Sequence, residues 1–183
     1  MTVSSAPSAV SPPPVERRAV SLARIRWALV GGVGVSVIVI DQLSKAWAVS
    51  ALVTPQHLFW TLRLQVTRNP GAAFSTGTSI GPIIGIVALG VVLLLLRSGR
   101  SMVNLSGLVA LGLVSGGAIG NLIDRAARGQ HGFLSGHVVD FIDFQWWPVF
   151  NVADIGVVVG ALLLALVGIT SADARKPATE GAL

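Results

Sequence analysis

The 183-residue sequence contains no cysteine, which excludes disulfides, a thiolate nucleophile, iron–sulfur clusters, thiolate-ligated zinc and a lipid-bearing cysteine of its own. Tyrosine is absent as well. Charge is scarce: 11% of residues are Asp, Glu, Lys or Arg, where an ordinary soluble domain carries roughly 25%. That shortfall argues against a soluble globular protein. The net charge of +5 is compatible with nucleic acid or an anionic membrane surface as a partner. A hydrophobic content of 52% and a mean hydropathy of +0.76 decide for membrane lipid and against nucleic acid.

What the chain does have is long apolar runs. Trp27–Val49, Ile80–Leu96, Val103–Ile123 and Val149–Thr170 are each long enough to approach or exceed the span of a bilayer, which takes about 20 residues at ~1.5 Å each. Nothing alternates apolar with polar as a lipid-facing barrel strand would, so all four are expected to be helices. The expected layout is a disordered cytoplasmic tail over 1–24, a four-span membrane domain over 25–170 and a cytoplasmic tail over 171–183. The tail assignment rests on the Ser-, Pro- and Ala-rich start of the chain, which has almost no large side chains to bury. The first span is read as retained, because it is long, carries Asp41 and Lys45 and lacks a clear cleavage signal.

The positive residues set the expected orientation, since Lys and Arg stay on the cytoplasmic side. Arg17, Arg18, Arg24, Arg26, Arg97, Arg100, Arg175 and Lys176 fall on the termini and the second connection. Both termini are therefore expected to be cytoplasmic, with the two long connections, about Ser50–Ser79 and Asp124–Pro148, facing outward. Gly112, Gly116 and Gly120 recur every four residues, as do Gly156 and Gly160, a spacing that lets helices approach closely in lipid. A phosphate-binding role for Gly116–Gly120 is disfavoured, because such loops follow a strand and none precedes this one.

Of the eight acidic residues, Glu16, Asp173 and Glu180 lie in polar tails. Asp41, Asp124, Asp140, Asp143 and Asp154 all fall near the expected outer face. Asp41 and Lys45, at i and i+4, share a helical face. They form either an ion pair that orients the bundle or a polar group lining a site. Asp124 and Asp154 each follow an Asn by three residues, Asn121 and Asn151, which puts amide and carboxylate on one face of a helix. Each acid alone reads equally as a helix-end charge, with Asp124 able to pair with Arg125 and Asp154 favoured by the helix dipole. Together they form a candidate hydrolytic pair, one carboxylate protonated and the other acting as base toward water. The histidines, His57, His131 and His137, show no zinc-binding spacing, so neither a metal nor another cofactor is expected. No Gly-x-Ser-x-Gly motif is present, which disfavours serine catalysis.

Five blocks, Asp41–Lys45, Arg68–Phe74, Gly116–Arg125, Val138–Phe141 and Phe150–Asp154, resemble in order the motifs of the lipoprotein signal peptidases, also called signal peptidase II. The resemblance spans roughly Trp27 to Thr170. It implies an all-α membrane protein, a four-helix transmembrane bundle with a small extracytoplasmic β-cradle and a periplasmic helix or loop over the site. Gln65–Phe74 and about Gly129–Gly136 are the expected counterparts of cradle and helix. The implied activity is that of an intramembrane aspartic endopeptidase of the bacterial cytoplasmic membrane. It would cut diacylglyceryl-modified prolipoproteins on the amino side of the lipidated cysteine, as a monomer. By motif, Asp124 and Asp154 match the catalytic pair, while Asp41, Lys45, Asn69, Gly117, Asn121, Arg125, Asn151 and Ala153 match positions that support the site or contact substrate. Asp140 belongs to a family block, and its role stays open between ordering a loop and touching substrate. Without the resemblance, the rivals are a small proton-coupled transporter and a non-catalytic assembly factor; the acids cluster at one face rather than at midplane, which weighs against transport.

Overall fold

The computed structural model describes residues 14–71, 81–102, 104–129 and 133–173. The element order is α1 (Pro14–Ala51), β1 (Gln56–Phe59), β2 (Leu62–Asn69), α2 (Gly81–Ser98), a short 3-10 turn (Gly99–Ser101), α3 (Leu105–Ala127), β3 (Val138–Asp143) and α4 (Val152–Asp173). All four helices are long and apolar enough to cross a membrane. Helix α1 starts at Pro14, inside the stretch expected to be a disordered tail. The residues after it supply the reason: proline suits a first helical position, and Val15–Ala23 contains no further breaker. Of the expected span boundaries, Ile80 and Val103 lie outside the described residues, as do Ala72, Ala73 and Phe74 of the second motif block.

Helix α3 is the hub. It packs on α1, α2 and α4, α1 also meets α4, and the backbone of α2 stays apart from those of α1 and α4. Glycine makes the close contacts possible. A Cβ on Gly112 would come within 2.9 Å of the Val30 carbonyl and one on Gly116 within 2.6 Å of the Gly34 carbonyl, so α1 lies almost backbone to backbone on α3. On the α4 side, a Cβ on Gly160 would meet the Ala110 carbonyl at 2.8 Å, and one on Gly117 would collide with the Ala153 carbonyl. The spacing read from the sequence is thus helix packing. Outward, α1, α2 and α4 expose Val, Ile and Leu along their length, including Val35, Leu94 and Leu162 near 60%. A surface of this kind belongs against lipid rather than water.

A three-stranded antiparallel sheet, ordered β1-β2-β3, closes one end of the bundle. Only β1 and β2 come from the first long connection; the third strand comes from the connection between α3 and α4, just after the Gly129–Gly136 stretch expected to form a helix or loop. Among the described residues of that connection, 133 and 134 form a turn and 135–137 lead into β3 without regular structure. Its β-branched start, Val138-Val139, favours pairing, and Arg68 opposite Val139 and Thr67 opposite Asp140 set the register. As an edge strand, β3 has outward N–H groups that no strand satisfies. The Phe141 N–H goes to the Phe150 carbonyl at 3.0 Å, and the Val139 N–H goes to a side chain of α3 described below. Phe141 packs under the sheet with Ala48 and Leu52, which fixes β3 against the end of α1.

Candidate functional site

The polar residues of the spans meet beneath the sheet. Lys45, fully buried, lies 2.8 Å from Asp41 Oδ2 and 3.0 Å from Asp124 Oδ2, and its Nζ donates to Asn121 Oδ1 at 2.9 Å. One cation thus holds two carboxylates and an amide. Asp41 also accepts the Ala153 N–H at 2.9 Å, satisfying one of the orphan donors at the start of α4. Gly120 leaves room for this, since a Cβ there would stand 2.8 Å from Asp41 Oδ2. Asp41 and Lys45 form the ion pair that their spacing allows, and neither lines the cavity described next.

A cavity of about 420 Å³ opens between α2, α3 and α4 under β3. Apolar residues of the three helices, among them Ile84, Ala88, Val114 and Val157, form its deeper walls. Its polar end carries Asn69, Asn121, Arg125, Asp140 and Asp154. Asp154 stands in the first turn of α4 and forms a reciprocal cap: its Oδ2 accepts the Asn151 N–H at 3.1 Å while Asn151 Oδ1 accepts the Asp154 N–H at 3.1 Å. The Asn-x-x-Asp spacing is therefore a capping box as well as a site motif. Asn121 Nδ2 donates to the other oxygen of Asp154 at 2.8 Å.

Asp140 is carried into the same cavity by β3. Its Oδ1 accepts from Asn151 Nδ2 at 2.7 Å and its Oδ2 from Asn69 Nδ2 at 3.1 Å. Asn151 thereby bonds both Asp140 and Asp154. Burial, reinforced by the charge of Asp154, pushes the Asp140 carboxyl up to about 6 against the pull of its Asn69 and Asn151 bonds and the Lys45 charge. No cation is in hydrogen-bonding contact with it among the described residues.

Asp124 is placed differently from the sequence expectation that paired it with Asp154 at the site. It is 1% exposed and does not line the cavity. Its Oδ2 takes Lys45 and the Val139 N–H at 3.1 Å, and its Oδ1 takes Arg128 Nε at 3.0 Å. The physical reason is the edge of β3: the strand needs an acceptor for Val139, and Asp124 at the end of α3 supplies it. Nor does Asp124 pair with Arg125. That side chain turns into the cavity wall, with Nη1 3.4 Å from the Gly136 carbonyl. Gly71, at φ +100°, lets the chain after β2 pass close to it, and a Cβ there would stand 3.3 Å from Arg125 Nη1.

The two remaining outlying groups belong to the sheet. Asp143 is opposed by burial, yet its bonds from Arg63 and the Gln145 N–H, with the Arg63 charge, hold it below the usual carboxylate range. His137, just before β3, is lowered by burial and then by the charges of Arg68 and Arg128. All eight supporting positions expected from the sequence, Asp41, Lys45, Asn69, Gly117, Asn121, Arg125, Asn151 and Ala153, gather around this one cluster. Asp140 is the residue that the sequence left undecided. In β3 the period of two puts Asp140 on the same face as Val138, which also lines the cavity.

Comparison with known proteins agrees with this architecture. Residues 33–170 match the family described as Signal peptidase (SPase) II. The chain is 45% identical over 147 residues to a lipoprotein signal peptidase of Rhodococcus jostii, covering 76% of this chain and 73% of that one. It is 39% identical over 168 residues to one from Mycobacterium leprae, covering 88% and 81%. Two solved structures of a bacterial membrane enzyme superimpose on it. The first has a TM-score of 0.66 at 25% identity, over 82% of this chain and 92% of the other. The second has a TM-score of 0.63 at 27% identity, over 74% and 88%.

Proposed function

The chain belongs to the signal peptidase II family and is a multi-pass membrane protease, and on that premise we propose that it cleaves prolipoproteins by aspartic hydrolysis carried by Asp140 and Asp154. The observation behind this reading is that these are the two carboxylates lining the cavity, tied together through Asn151. Asp124 is withdrawn from the cavity into an ion cluster with Lys45 and Arg128.

Chemically, the pair suits water activation. Asp154 lies in the first turn of α4, where the helix dipole favours negative charge. Asp140, raised to about 6, suits the proton-bearing role near neutrality. Asp154 takes a proton from a water as its oxygen adds to the scissile carbonyl, while Asp140 donates to the carbonyl oxygen. Collapse of the gem-diol then returns a proton to Asp140 and breaks the C–N bond, while Asp154 passes its proton to the leaving amine. Asn69, Asn121 and Arg125 supply donors along the cavity for the substrate backbone. The apolar walls on α2, α3 and α4 suit a hydrophobic signal peptide lying in the bilayer.

The substrate class is a prolipoprotein whose cysteine already carries diacylglycerol, cut on the amino side of that cysteine. Its lipid keeps the bond near the headgroups, and the site lies at the helix ends, where water reaches. Both termini are cytoplasmic in this reading, because Arg24, Arg26, Arg97 and Arg100 mark the end of the bundle away from the sheet.

The test is a gel-shift cleavage assay with purified protein and a diacylglyceryl-modified prolipoprotein. Asp140→Asn and Asp154→Asn are expected to lower kcat at least about a thousandfold with the fold intact. A folded Asp140→Asn variant that cleaves at the wild-type rate overturns the pair. A wild type inert toward the lipidated substrate overturns the substrate assignment.

A further inference from the structure

At the opposite end of the bundle from Asp140 and Asp154, the structure holds a second, open cavity with different chemistry. Helices α1 and α2 both rest on α3 with their backbones apart, which leaves a furrow between them. Near the chain-terminal end this furrow widens to a cavity of about 400 Å³, lined by Trp27, Leu93, Leu96, Arg97 and Arg100. Trp27 lies roughly 27 Å along α1 from the Lys45 cluster, so the two sites sit near opposite faces of a bilayer.

The lining has two halves. Leu96 joins Leu29, Leu95 and Met102 over a core of Val30, Leu108 and Leu111, which gives the furrow an apolar floor. At its mouth stand two guanidinium groups. Neither Arg97 nor Arg100 has an acidic partner among the described residues. Every carboxylate whose side chain is described, from Asp41 to Asp154, lies toward the sheet end. The pair is held in place by Gly99: a Cβ there would run into Leu111 Cδ2 and stand 3.8 Å from Trp27. The tight turn therefore presses the chain onto α3 and presents Arg97 and Arg100 beside the indole.

We propose that this furrow binds one anionic phospholipid of the surrounding leaflet, its phosphate held by Arg97 and Arg100 and an acyl chain lying along Trp27, Leu93 and Leu96. Charge complementarity selects the headgroup, since two unpaired guanidinium groups meet an anionic phosphate in bidentate fashion. The gap between the backbones of α1 and α2 suits an acyl chain, because a lipid tail is as apolar as the Leu93 and Leu96 that line it. A free phosphate would use the arginines and leave the apolar half unfilled. The site needs only that the helices span a bilayer and is separate from the reaction.

Native mass spectrometry of the full chain in detergent tests this, with phosphatidylglycerol, phosphatidylcholine and inorganic phosphate as probes. Wild type is expected to retain one phosphatidylglycerol about tenfold or more in preference to phosphatidylcholine. Arg97→Gln with Arg100→Gln should erase that preference, whereas Arg24→Gln with Arg26→Gln, equal in charge, should keep it. Thermal melts of each variant separate lost lipid from lost fold. If the first double variant does not fold, wild type with one equivalent of brominated-chain phosphatidylglycerol gives a second reading, the quenched component being absent from Trp27→Phe. The proposal is overturned by a preference that survives Arg97→Gln with Arg100→Gln, by equal loss in the Arg24→Gln and Arg26→Gln control, by displacement of the lipid with inorganic phosphate, or by quenching unchanged in Trp27→Phe.

Discussion

Asp140→Asn carries a stability signature as well as a loss of activity, and its sign is unusual. A carboxyl raised from 3.8 to about 6 binds its proton more tightly in the folded chain than in the unfolded one. Its contribution to stability is therefore full below about 3.8 and is lost as pH rises through 6. A shift of that size corresponds to on the order of 3 kcal/mol above pH 7, at about 1.36 kcal/mol per unit. Asparagine does not titrate and escapes that loss. It also forfeits part of the bonding to Asn69 and Asn151, which costs about 1 kcal/mol. The variant should thus melt slightly below wild type at pH 4.5 and several degrees above it at pH 8, with the two curves crossing between. Thermal melts of both proteins in one detergent across that range measure it, and taking the difference cancels the other titrating groups. The crossover belongs to Asp140 together with Asp154, whose charge it feels. A difference that stays constant from pH 4.5 to 8 would refute the reasoning, because Asp140 would then titrate like an exposed carboxylate.

Asp124→Asn should behave in the opposite way, since it leaves Lys45 buried with Asp41 as its remaining carboxylate and turns an amide toward one of its own donors; we expect a loss of about 3 kcal/mol at pH 7, seen as a melt lowered by ~10 °C. The protein that remains folded at low temperature should still cleave substrate, and an unchanged melt would show that the Lys45 cluster is not what holds α3 to α1. Asn151→Ala removes the cap of α4 and the bridge between the two cavity carboxylates at once. Its melt should fall by the equivalent of about 1–2 kcal/mol, while kcat falls roughly a hundredfold with KM little changed; equal losses in kcat/KM through KM alone would assign Asn151 to substrate binding instead.

The spans were legible because each is written in one continuous run, and the helix contacts because glycine spacing on α3 and α4 repeats at the helical period. Asp41 and Lys45 could be paired from sequence for the same reason, being one turn apart on α1. The third strand was not legible. Val138–Asp143 is only six residues long and is stabilised by partners 71 to 80 residues away, such as Asn69 for Asp140 and Arg63 for Asp143. A short strand of that kind has no local signal strong enough to outweigh a loop.

The choice of Asp140 as the second carboxylate of the proposed pair rests on that strand. In sequence, Asp124 and Asp154 stand in matching Asn-x-x-Asp frames, and symmetry of spacing favours them as a pair. In three dimensions the frames do different work. The frame on α4 is a capping box that leaves Asp154 facing the cavity. In the frame on α3, Asn121 reaches across to Asp154 while Asp124 is drawn the other way by Lys45, Arg128 and the free N–H of Val139. That last bond has a consequence for Asp140: by holding the backbone of β3 at its immediate neighbour, Asp124 fixes where the Asp140 side chain enters the cavity. On the proposed pair, a residue can match a family motif and hold the site in place without touching substrate. Activity lost on replacing it would not by itself make it catalytic, and only the contrast between a destabilised Asp124→Asn and a folded, inactive Asp140→Asn separates the two roles.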